Sequence, residues 1–114
     1  MTTNQSAGPE FVVVTTTHES EPLARELAAA AVAERLAACA QVYPIGSVYR
    51  WAGAVEQAEE WRVDFKTLAE LADGLAEFVT ERHSYQTPEL LVVPVLGGSA
   101  AYLDWLRTET AGSA

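Results

Sequence analysis

The strongest constraint in this chain is an unbroken two-residue alternation from 55 to 66. Val55, Gln57, Glu59, Trp61, Val63 and Phe65 fall on one side, and Glu56, Ala58, Glu60, Arg62, Asp64 and Lys66 on the other. A period of two belongs to a β-strand, whose successive side chains point to opposite faces. The first set becomes apolar toward Phe65, while the second is mostly charged, with both signs present. Upstream, residues 41–51 are again rich in Val, Ile and Tyr, and Ala52-Gly53-Ala54 supplies a short turn, so the two arms read as a β-hairpin. Arms of 11 and 12 residues reach roughly 40 Å. The rest of the chain has to be arranged around that length.

Residues 11–17, FVVVTTT, are short and dense in β-branched side chains and read as a buried strand. Ser20-Glu21-Pro22 then combines a capping residue, an acid for the positive helix end and a proline tolerated in the first turn. The helix it opens is predicted to run to Cys39, with Ala28, Val32, Leu36 and Cys39 on its buried face. Thr67-Leu68-Ala69-Glu70 has the spacing of a capping box. Behind it Leu71, Ala72, Leu75, Phe78 and Val79 recur at helical intervals. Residues 90–96 are β-branched and interrupted by Pro94, which assigns them to an edge strand. Gly97-Gly98-Ser99 breaks the chain and caps a last short helix carrying Tyr102, Leu103 and Leu106.

The order is β-α-β-β-α-β with a final helix. Two crossover helices on one face of an antiparallel four-stranded sheet satisfy it as an α+β, ferredoxin-like sandwich. Residues 11–107 form that single domain, and the polar stretches 1–10 and 108–114 read as loose tails. The hairpin overhangs the sheet, because a first strand of seven residues spans only about 24 Å. It also carries Tyr43, Tyr49, Trp51, Trp61 and Phe65, five of the ten aromatic side chains. An aromatic ribbon of that length calls for cover by another subunit.

Charge narrows the choice of partners. Sixteen acidic against seven basic residues give a net charge of -9, the wrong sign for a nucleic-acid backbone or an anionic membrane surface. Cys39 is the only cysteine, which excludes an intramolecular disulfide and suits a reducing compartment. The polar start, MTTNQSAGPE, has no signal-peptide pattern, and the expected location is the cytoplasm.

Candidate chemistry concentrates between the second helix and the edge strand, where His83, Tyr85, Gln86 and Glu89 bring imidazole, phenol, amide and carboxylate together. The same residues can serve purely as a helix end and a turn. Lys66, the only lysine, ends the charged face of the hairpin, as the cation of a cleft or as half of a salt bridge. Trp51 and Glu56 flank the hairpin tip. Cys39 is a soft metal ligand by chemistry, and equally a small buried apolar residue. His18 reads as solvated or capping. H-x-x-x-H, C-x-x-C, a phosphate loop and a nucleophile elbow are missing, so no enzymatic activity is expected, and any metal site has to be assembled across space or across subunits.

Five segments in order, FVVVTT, ERLAACAQV, SVYRWAGAVEQ, FKT and HSYQTPELLVVPV with YLDWL, resemble the CutA family of divalent-cation tolerance proteins over nearly all of 11–107. Ser84 stands where that family usually has proline, and Arg50 where an aromatic is common beside Trp51. The resemblance implies a non-enzymatic homotrimer whose sheets meet through the long hairpins and whose work concerns divalent metals, copper included. It requires no cofactor beyond such a metal, whose weak binding would fall to His83 ahead of Cys39. It also implies an inter-subunit ligand cleft at Trp51, Glu56, Lys66, Tyr85, Gln86 and Glu89. By analogy with trimeric ferredoxin-like sensors of the PII type, that cleft could instead take a small anionic ligand on Lys66. A third reading uses Glu89 or His83 as acid or base.

Overall fold

In the computed structural model, which describes residues 8–110, the hairpin dominates the architecture. Its arms are β2 (Cys39–Trp51) and β3 (Ala54–Leu68), paired without interruption from Cys39↔Lys66 to Trp51↔Ala54. The turn is therefore two residues, Ala52 and Gly53, shorter than the three expected. Both have positive φ, 52° and 83°, as a type I′ turn requires. β1 (Phe11–His18) pairs with β3, from Phe11↔Leu68 to His18↔Trp61, and β4 (Leu91–Val95) pairs with the outer side of β1. The sheet is antiparallel throughout in the order β2-β3-β1-β4. With α1 (Glu21–Ala33), α2 (Ala72–Arg82) and α3 (Ala100–Thr108), this is the ferredoxin-like α+β arrangement read from the sequence. Pro94 lies in the edge strand opposite Val12, where its missing N–H interrupts no ladder to a further strand.

α1 and α2 cover one face of the sheet. Val12 and Val14 of β1, Val63 and Phe65 of β3, Ala24, Leu27, Ala28 and Ala31 of α1, and Leu75 and Val79 of α2 form the main core. The alanines let α1 lie close on the strands, so the buried volume comes from the sheet and α2. α3 lies on the other face. There Phe11 and Leu68, which alternate away from the main core, pack with Ala38 and Leu106. Ser20 Oγ accepts the Leu23 N–H at 3.3 Å and Ser99 Oγ the Tyr102 N–H at 3.3 Å, so both serine caps form.

Two local expectations are corrected. α1 ends at Ala33, and Cys39 is the first residue of β2. The helix stops in a Schellman pattern: Arg35 takes φ 62°, its N–H donates to the Val32 carbonyl, and the Leu36 N–H donates back to Ala31. Leu36 then returns to the core, and the Ala38 N–H bonds the Lys66 carbonyl at 3.0 Å, which starts the strand. Val32 is left exposed as a result. The capping box at 67–70 does not form either. β3 runs on to Leu68, a 3₁₀ turn spans Ala69–Leu71, and Thr67 Oγ1 donates to the Leu36 carbonyl at 2.7 Å. The threonine hydroxyl fixes the end of the α1–β2 connection to the sheet and caps no helix.

The ordered domain is wider than 11–107. The Glu10 carbonyl accepts the Ala69 N–H at 2.7 Å, and the Glu10 carboxylate takes a bidentate pair of bonds from Arg107 at 2.7 and 3.0 Å. α3 continues to Thr108, and Thr110 is buried with its hydroxyl on the Leu106 carbonyl. The remainder of the two expected tails, 1–7 and 111–114, lies outside the described residues.

Candidate functional site

The site is built on the end of α2. His83 caps that helix in an extended conformation and turns the chain across the end of β1. Its Nδ1 accepts the Tyr85 N–H at 3.0 Å, and its Nε2 lies 2.6 Å from the Thr17 carbonyl. A backbone N–H can only donate and a carbonyl can only accept, so the ring is the neutral Nε2–H tautomer with both nitrogens engaged. It stacks on His18 at 4.5 Å between centroids and 20° between planes. His18 is 2% exposed, buried where solvation was expected, and its Nδ1 faces the Ser20 N–H at 3.5 Å. Burial, and then the nearby His83, hold its pKa below the usual imidazole range, against an upward pull from Glu19 and Glu60.

Tyr85 continues the line. Its hydroxyl donates to Glu60 Oε2 at 2.7 Å, and burial, followed by that bond and the negative charge of Glu60, pushes the phenol pKa well above its ordinary value. Glu60 lies just past the point where β1 ends, on the sheet face opposite α1 and α2, and is 9% exposed. Further along the loop, the Glu89 carbonyl accepts the Thr16 hydroxyl at 2.6 Å. The Glu89 carboxylate lies 3.7 Å from Arg62 Nη1, whose Nε bonds Asp64 at 3.3 Å. Asp64 also receives the Tyr43 hydroxyl at 2.8 Å. The loop and the overhanging hairpin border an open cavity of about 470 Å³. Ser47, Tyr49, Trp51 and Glu60 wall it from the hairpin, and Tyr85, Gln86, Thr87 and Glu89 from the loop.

A sheet in this order, with a hairpin longer than its neighbours and an acidic, aromatic cavity at the overhang, is a specific combination. The family model of the CutA1 divalent ion tolerance protein matches residues 12–109. The chain belongs to the CutA1 family. It is 46% identical to the divalent-cation tolerance protein CutA of Citrobacter koseri over 100 residues, 87% of each chain. The solved structure of CutA from Synechococcus elongatus superposes with a TM-score of 0.86 at 40% identity, over 90% of this chain and 91% of that one. The periplasmic divalent cation tolerance protein CutA of Archaeoglobus fulgidus does so with a TM-score of 0.85 at 30% identity, over 87% and 97%.

Within this CutA1 chain Trp51, Tyr85, Gln86 and Glu89 do come together around the cavity. Glu56 is exposed opposite Tyr49 and stands outside the lining. Lys66 is at the far end of the sheet, paired with Val13 and Cys39, its ammonium 5.7 Å from the Tyr102 ring of α3. The cation beside Glu89 is Arg62. Both ring nitrogens of His83 are engaged in this conformation, Nδ1 with the Tyr85 N–H and Nε2 with the Thr17 carbonyl. Cys39 is half-buried at the start of β2, at the same remote end as Lys66. No group of three His, Cys, Asp or Glu side chains able to hold an ion occurs among the described residues. Glu60, Arg62, Tyr49 and His18, all on strands, join the site as well; alternation alone leaves their part open, because it depends on the register between strands.

Proposed function

We propose that this protein acts as a homotrimer in divalent metal tolerance, with copper foremost, and that its metal contacts are weak and shared between chains. The observation that carries the trimer is the overhang. Past the His18↔Trp61 pair β3 has no partner but β2, and Val48, Tyr49, Trp51 and Val55 stand exposed there. At the opposite edge Leu91, Val92 and Val93 are about half exposed and Leu96 is 96% exposed. Two apolar edges on one sheet match the surface that an obligate assembly buries. Copper rests on the family and on the softness of the Cys39 thiol, which with His83 committed is the better candidate of the two. The single unpaired thiol also supports a cytoplasmic location.

Native mass spectrometry of protein purified without added metal tests both parts at once, reporting subunit number and any retained ion. A trimer mass carrying copper at substoichiometric levels is expected. A stable species near 12.3 kDa at micromolar concentration refutes the assembly.

A further inference from the structure

We propose that the stacked rings of His18 and His83 form a proton-operated latch on the 84–88 segment. With both rings neutral the segment is pinned to the end of β1, and on protonation it is released while the sheet stays folded. The latch lies within one chain and works with or without a metal, so it goes beyond the proposed function and does not depend on it.

The first observation is that the bonds of the latch exist only for neutral imidazoles. His83 Nδ1 accepts the Tyr85 N–H at 3.0 Å, and its Nε2–H donates to the Thr17 carbonyl at 2.6 Å. A proton added to this ring goes to Nδ1 and turns that acceptor into a donor facing a donor. The Tyr85 N–H then loses its partner, and the segment loses its bond to the end of α2. His18 Nδ1 faces the Ser20 N–H at 3.5 Å in the same sense.

The second observation is the stack. The two imidazoles lie 4.5 Å apart at 20°, and the Tyr85 ring closes the group at 4.7 Å from His83 and 5.9 Å from His18. Two cationic rings in contact repel, and His18, 2% exposed, has no water to solvate a charge while the stack is closed. Of the groups acting on His18, His83 at the end of α2 opposes a proton, whereas Glu19 after β1 and Glu60 on β3 favour one. Burial and His83 outweigh the two carboxylates and hold the ring below its ordinary pKa of 6.5. The groups reaching Tyr85 are Glu60, Glu19 and Tyr49 of β2, and its phenol, pushed up chiefly by burial, keeps its proton. The third observation is what bounds the segment. The Glu89 carbonyl accepts the Thr16 hydroxyl at 2.6 Å, and the Tyr85 hydroxyl donates to Glu60, bonds that no imidazole charge breaks. Release is therefore confined to the backbone between α2 and Glu89, which carries the exposed Gln86 and Thr87 on the rim of the cavity.

Amide hydrogen exchange of the full chain by NMR, corrected for the intrinsic rate at each pH, reads the latch at the Tyr85 N–H. Light scattering of the same samples reports assembly. Parent, His18→Gln and His83→Gln are compared; glutamine offers an acceptor and a donor but does not titrate, and either variant carries the test if the other does not fold. One unit below 6.5 a released imidazole is about 10-fold favoured by its proton, so Tyr85 protection in the parent should fall about 5- to 10-fold from pH 7.5 to 5.5. In both variants the fall should be about 3-fold or less. At pH 5.5, 1 M urea should change Tyr85 protection by less than about 2-fold, where exchange through whole-chain unfolding would change it about 30-fold. A smaller fall in the parent, a folded variant that exceeds about 3-fold, a larger response to urea, or loss of assembly over the same pH range overturns the proposal.

Discussion

Replacing His83 by alanine distinguishes a structural imidazole from a metal-binding one. The variant loses the acceptor for the Tyr85 N–H at 3.0 Å, the donor to the Thr17 carbonyl at 2.6 Å, and the ring stacked on His18 at 4.5 Å. Neutral hydrogen bonds contribute about 0.5–1.5 kcal/mol each, so two of them at a half-buried position come to about 2 kcal/mol. With a urea slope of about 2 kcal/mol per molar, the unfolding midpoint falls by about 1 M. Parent and variant need the same protomer concentration, because the midpoint of an assembling protein depends on it. The second readout is copper affinity by calorimetry. Nδ1 has its lone pair on a backbone N–H and Nε2 carries a proton, so the affinity should be unchanged. A variant as stable as the parent, or one that loses copper binding the parent has, refutes the reasoning.

Leu75 of α2 is fully buried against the sheet, and Leu75→Ala should cost about 2–5 kcal/mol by urea unfolding; a loss below about 1 kcal/mol would mean that the core collapses onto the gap. Gly53→Ala at the hairpin tip meets no atom within 4 Å, so its cost is the positive φ of 83° alone, about 1 kcal/mol, and a neutral result would show that the turn rearranges. The buried His18 resists a proton that the unfolded chain accepts below its ordinary pKa of 6.5. Its stabilising contribution is complete above pH 6.5 and is lost as pH falls through 6.5 toward the lower folded value. The urea midpoint should therefore drop between pH 8 and 5.5 by more in the parent than in His18→Gln, and parallel curves would sink this assignment.

Strand identity and order were legible because a period of two, β-branched composition and Pro94 each act locally and agree with one another. The end of α1 was not. Alanine fits a helix and a buried strand edge alike, and the stop at Arg35 uses a left-handed residue with no glycine to announce it. The short turn was misjudged by one residue for a related reason, since Ala52 takes the φ usually left to Asn, Asp or Gly. Thr67-Leu68-Ala69-Glu70 carried a real capping pattern that tertiary structure overrode, because the strand pairing of Thr67 and Leu68 with Val12 and Phe11 outweighs one cap.

The site was half legible, and what was missed turns on register. Arg62, Asp64 and Lys66 share one face of β3 by alternation alone, but which of them meets the loop depends on how β3, β1 and β4 align. Thr15 pairs with Asp64 on one side and with Leu91 on the other. Two residues further, the row holds Thr17 with Arg62, and the chain two residues before Leu91 is Glu89. Lys66 sits instead in the row of Val13 and Val93. Four positions separate the two cations, about 13 Å along the strand, which no side chain bridges. The lysine that would have favoured an anionic ligand thus belongs to the α3 end. At the cavity the cation in that place is Arg62, held between Asp64 at 3.3 Å and Glu89 at 3.7 Å.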